Sequence, residues 1–264
     1  MQDCFECAKY ADFPRPFPSY AMGASPRLSR EDINALPLFH YTGKITLVRS
    51  DDDMEYALHR LGEKSVEQGN HQHPEGETSR KVLGFDTETR PSFRKGTSYS
   101  PSLIQIALED EVFLFHLKWR PFGQQLISLL EGPDIIKTGV AICDDMLFLS
   151  KISPFKPASV LDLGEVARNN NIENRGLRGL AAVFLGLRIS KGEQCSNWGN
   201  SALSPRQIRY AATDAWISRA IYFRMLASGL DFTLPPPQPE SKNKNTCKLG
   251  IAKKRSARQS SLYR

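Results

Sequence analysis

The sequence predicts an α/β fold, a mixed sheet of five to six strands flanked by helices. Three observations carry this. Strand-type segments follow one another between residues 81 and 117, strand and helix then alternate, and helical periodicity dominates from residue 142 to 230.

Residues 1–43 read as an N-terminal extension. The first 28 are rich in Pro, Ser and aromatics without periodicity. Ser29 then offers a cap to a short helix ahead of Ala35-Leu36-Pro37-Leu38. The main domain is expected over residues 44–231. Residues 44–48 form a strand. Asp51-Asp52-Asp53 opens an amphipathic helix, with acids against its N-terminal dipole and Met54, Ala57, Leu58 and Leu61 on one face. Residues 67–80, polar with Gly, Pro and two His, read as a loop. Strands are predicted at 81–86, 103–108 and 112–117. The polar turn Glu109-Asp110-Glu111 makes the last two an antiparallel pair. A helix over 122–130 and a strand over 135–140 follow. Pro235-Pro236-Pro237 closes the domain, and residues 232–264 read as a basic, disordered tail.

Charge sharpens this division. The chain of 264 residues carries +6. From Pro235 onward eight Lys/Arg face one acid, a net of +7, so the remainder is near neutral at about −1. The basicity describes an arm able to hold a polyanion by counterion release, not a basic groove. Lys253-Lys254-Arg255 in that arm is a solvated tether, or a nuclear address if the source is eukaryotic. No apolar run reaches bilayer-spanning length, and the acidic start Met1-Gln2-Asp3 has no apolar core behind it. Five dispersed cysteines argue against a disulfide framework. A cytoplasmic protein is therefore expected, with no membrane partner. Cys4-Phe5-Glu6-Cys7 supplies two zinc ligands where a structural site needs four, and nothing in the sequence brings His71 or His73 to it. No P-loop or dinucleotide fingerprint is present.

Three short patterns carry chemistry. Asp86-Thr87-Glu88 ends an apolar strand, where residues i and i+2 face the same way. Two carboxylates projecting together are costly unless a cation neutralises them, and an oxygen-only set suits Mg²⁺ or Mn²⁺. The chain's other D-x-E, Asp53-Met54-Glu55, lies on a helix where i and i+2 diverge. Tyr210 and Asp214, at i and i+4, share a face of a helix announced by Ser204, Pro205 and Gln207 as N-cap, N1 and capping-box partner. Asp144-Asp145 open a helix after the strand that ends at Gly139. Complementarity with the helix dipole explains one of these two acids, without saying which.

Taken jointly, in this order and spacing, the patterns resemble the DEDDy branch of the DnaQ-like 3′–5′ exonucleases, with the ribonuclease D and Werner-syndrome-protein exonuclease domains the nearest in kind. The flanking text agrees at Pro101–Ala107, Gly176–Gly186 and Ser196–Trp198, and the likeness covers about residues 44–230. Asn, His and aromatic residues that many relatives carry beside the second motif are replaced here by Val140-Ala141-Ile142 and Asp144, as in the Werner-like members.

The resemblance implies a ribonuclease H-like fold and a 3′–5′ exonuclease that releases nucleoside 5′-monophosphates from DNA or RNA. Its catalytic set is Asp86, Glu88, Asp145, Tyr210 and Asp214. Asp86, Glu88, Asp145 and Asp214 hold two divalent ions, and Tyr210 orients the nucleophile; counting from Gly139 selects Asp145 over Asp144. Thr87 and Leu103 fall where such domains meet the terminal nucleotide. Arg90, Arg94 and Lys95 are candidates for the strand's backbone, weighed against a solvated loop. Trp198 is a candidate strand contact, weighed against a core or lid position. The partner implied is the 3′ end of a nucleic acid, with no protein partner identified. The competing reading is a catalytically silent nucleic-acid-binding or partner-recruiting module on the same fold.

Overall fold

The computed structural model describes residues 27–63, 80–92, 99–120 and 122–232. The chain divides into two units, Met1–Phe232 and Thr233–Arg264, and every described residue belongs to the first. The CxxC, the 67–79 histidines and the basic tail lie outside the described residues.

Six strands form one mixed sheet: β1 (Lys44–Leu47), β2 (Lys81–Glu88), β3 (Leu103–Ala107), β4 (Glu111–His116), β5 (Ile135–Gly139) and β6 (Val160–Asp162). Their spatial order is β1-β4-β3-β2-β5-β6. β3 runs antiparallel to both of its neighbours, β2 and β4, and the outer pairings are parallel. The Glu109–Asp110 turn delivers the expected β3–β4 hairpin. β6 was not anticipated within the helical stretch after residue 142. At three residues it is too short to show a period of two.

The helices are α1 (Arg30–Ala35), α2 (Asp51–Gly62), α3 (Gln124–Glu131), α4 (Ile142–Ile152), α5 (Leu163–Asn169), α6 (Leu177–Leu185) and α7 (Pro205–Ala227). Ser29, Ser50 and Ser204 each close a capping box, with Asp32, Asp53 and Gln207 respectively.

The pleat sorts two cores. Leu83, Phe85, Ile104, Ile106, Phe113 and Phe115 meet apolar residues of α2, α3 and α4 on one face. Val82, Leu103, Ala107, Val112 and Leu114 meet α6 and α7 on the other. The long helix α7 lies against the central strands through Ala211, Ala212 and Ala215, all fully buried. Its approach is closest at Gly84, where a Cβ would sit 2.0 Å from the Ala215 carbonyl oxygen. Only glycine permits that contact.

Candidate active site

The alternation that buries Val82 under α7 puts Gly84, Asp86 and Glu88 on the same face. α7 turns Tyr210 and Asp214 back toward them, one helical turn apart. One carboxylate oxygen each from Asp86, Glu88 and Asp214 lies within 4.8 Å of the others. Among the described residues, no Lys or Arg forms a salt bridge with any of the three. Asp86 accepts the Thr87 N–H at 2.9 Å. The Tyr210 hydroxyl donates to Asp214, whose Oδ1 is buried without a partner.

The electrostatics follow from burial of like charges. Burial first, then Asp214, pushes Asp86 well above the carboxylate range. Burial first, then Asp86, Asp214 and Asp145, pushes Glu88 up to about 10. Burial raises Asp214 to about 7 against the Tyr210 hydrogen bond that lowers it. The Tyr210 phenol is driven above its ordinary range by burial, then by Asp214 and Glu88. With no cation the cluster must hold protons. Its unpartnered Asp214 oxygen and all-oxygen donor set fit a hard divalent ion.

Asp145 arrives from the opposite side of the sheet. Thr87 faces away from Asp86, and its Oγ1 donates to Asp145 Oδ1 at 2.6 Å. Asp145 is raised to about 8 by burial and by Asp86, against the Thr87 bond. Its neighbour Asp144 is exposed, so α4 directs only the second acid to the cluster. α4 begins from Ala141, whose φ of 61° is left-handed. Asp162 accepts the Ala141 N–H while capping α5 through the Gly164 N–H at 2.9 Å. Sequence reasoning missed Asp162; the acids Asp162 and Glu165 three apart after an apolar pair are a helix-start signal that would have found it.

The expected substrate contacts fare differently. Leu103 and Trp198 are fully buried, Trp198 in the core position weighed against a strand contact. Leu103 pairs with Glu88 across β2–β3. Trp198 lies beside Tyr210, ring centroids 6.0 Å apart. Its carbonyl is held by the buried His116 Nε2 at 3.1 Å, while His116 Nδ1 accepts the Lys118 N–H at 3.2 Å. Arg90 is exposed, its guanidinium stacked 3.6 Å over the Tyr99 ring. Arg94 and Lys95 lie outside the described residues.

Comparison with known proteins places this geometry. A family model described as 3′–5′ exonuclease matches residues 47–228. The chain is 35% identical over 150 residues to the bifunctional 3′–5′ exonuclease/ATP-dependent helicase WRN of Mus musculus, covering 54% of this chain and 11% of that protein. It is 28% identical over 177 residues to ribonuclease D of Haemophilus influenzae, covering 66% of this chain and 42% of that one. The chain thus spans less than half the length of either relative. The crystal structure of the Aedes aegypti Nibbler EXO domain superposes with a TM-score of 0.57 at 22% identity, covering 79% of this chain and 95% of that domain. The ribonuclease H-like fold is shared.

Proposed function

This chain belongs to the 3′–5′ exonuclease family, of DEDDy type, and we propose that it is a metal-dependent phosphodiester hydrolase acting from the 3′ end of DNA or RNA with two Mg²⁺ or Mn²⁺ ions. One observation carries the reading: Asp86, Glu88 and Asp214 gather three carboxylate oxygens within 4.8 Å with no protein cation among the described residues to neutralise them.

Asp86, Glu88 and Asp214 would hold the ions, with Asp145, steadied by Thr87, as the further acid that would serve them. When bound, such ions neutralise the phosphoryl group, acidify the attacking water and stabilise the leaving 3′ oxygen. The chain's own groups then orient the reaction. Tyr210 is a neutral phenol at pH 7, because burial and its acidic neighbours hold the proton on it. It acts as a hydrogen-bonding guide for the nucleophile, not as the base. Arg90, splayed flat on Tyr99, offers its guanidinium to a backbone phosphate. The product is a nucleoside 5′-monophosphate.

The test is incubation of 5′-labelled single-stranded DNA and a matching RNA with Mg²⁺, Mn²⁺ or EDTA, beside Asp86→Ala. A ladder shortening from the 3′ end, absent with EDTA and lowered at least about 10³-fold in the variant, is expected, since a lost metal ligand removes several kcal/mol of transition-state stabilisation. The faster substrate assigns the class. Intact strands in every metal, with binding retained, would establish a silent binding module.

A further inference from the structure

Gln105 occupies the middle of the sheet beside the acidic cluster, and its side chain makes no hydrogen bond among the described residues. It is the direct cross-strand partner of Asp86 in the antiparallel β2–β3 pair. Opposed residues of such a pair share a face, with Cβ atoms about 4.5–5.5 Å apart. That face is the one under α7, since Leu103 and Ala107, two positions to either side of Gln105, belong to the core there. Gln105 is 0% exposed, yet neither its Oε1 nor its Nε2 has a hydrogen-bond partner. Its partner across β4 is Leu114, so Asp86 is the polar one of its two cross-strand neighbours. An apolar side chain of that length would fill the space without leaving two polar atoms desolvated and unpaired.

We infer that Gln105 is a positioning residue for the acidic cluster, its carboxamide steadying Asp86, or water held beside it, once a divalent ion is bound. The inference rests on the metal-site reading of Asp86, Glu88 and Asp214. A carboxylate that gives one oxygen to an ion is aimed by hydrogen bonds to its remaining lone pairs. A primary amide brings two donors and one acceptor to that task. The orphaned amide is then half of a bond completed on loading.

The test uses the full chain as wild type, Gln105→Met, Gln105→Asn and Asp86→Asn. Mn²⁺ binding is read by electron paramagnetic resonance, metal-free unfolding by a thermal melt, and cleavage by steady-state kinetics on a labelled oligonucleotide. Gln105→Met is expected to melt no lower than wild type without metal, to bind Mn²⁺ about 10- to 100-fold more weakly, and to lose kcat with the oligonucleotide KM unchanged. Gln105→Asn, which keeps a shorter amide, falls between. Wild-type Mn²⁺ affinity and kcat in Gln105→Met overturn the inference. So does a metal-free melt well below wild type, because the amide would then serve the fold. A wild type that binds no more Mn²⁺ than Asp86→Asn would instead sink the metal site itself, and this inference with it.

Discussion

Two buried glutamates at opposite ends of one sheet live in opposite surroundings. Glu111, 1% exposed at the start of β4, is met by Lys44 Nζ at 2.9 Å, the Tyr56 hydroxyl at 2.8 Å, the Thr46 hydroxyl and Arg60 Nε at 3.5 Å. Burial pushes its pKa up, but the Thr46, Lys44 and Tyr56 hydrogen bonds outweigh it and the net shift is downward. Glu88, 9% exposed at the end of β2, is met by three other carboxylates and raised to about 10. The protein neutralises the first with its own groups. Among the described residues none does the same for the second, whose neutrality there comes from protons or from an ion. Burial alone therefore does not mark a functional acid. The sign of what surrounds it does.

The sharpest break of this comparison exchanges each glutamate for its neutral isostere. Glu88→Gln should lower cleavage about 10³-fold and leave the metal-free fold at least as stable. Glu111→Gln should keep cleavage per folded molecule and cost about 1.5–3 kcal/mol in urea unfolding, the range for hydrogen bonds to a charged group. Equal stability losses in both would abolish the distinction.

Acidity tests the same contrast. The raised folded values mean that the native cluster keeps protons the unfolded chain releases above about pH 4. Stability from the protonated cluster is thus complete below that point and lost as pH rises through about 7 for Asp214, about 8 for Asp145 and about 10 for Glu88. In EDTA the melting temperature should fall on the order of 5 °C between pH 5 and 8, a few kcal/mol at this size. Mn²⁺ should restore it at pH 8 and do little at pH 5. A flat profile in EDTA would mean the acids are already neutralised.

The smallest effect belongs to Tyr210→Phe, which keeps the ring beside Trp198 and removes the hydroxyl. A drop in kcat of about 10-fold, one guiding hydrogen bond, is expected with KM unchanged. A loss as large as that of Glu88→Gln would make the phenol more than a guide.

Much of this was legible in the sequence because it depends on local period. Asp86 and Glu88 share a face by the pleat, Tyr210 and Asp214 by the helical turn, and Ser204 and Gln207 announce α7 by cap chemistry. What escaped depends on partners far along the chain. β6 is defined by its register with β5, not by its three residues. Asp162 matters because it reaches Ala141. The full burial of Leu103 and Trp198 depends on layers that close over them from elsewhere in the chain, and Gln105 reads as an ordinary strand residue until Asp86 is placed opposite it.

The missing methyl at Gly84 has a wider consequence. It fixes, through one backbone contact with Ala215, how far apart the strand carrying Asp86 and the helix carrying Asp214 can stand. A cup made of flexible side chains adapts to what enters it. This one is set by two main chains in contact, so it behaves as a calliper with its jaws locked. A single added carbon at residue 84 would open the jaws without touching any acid.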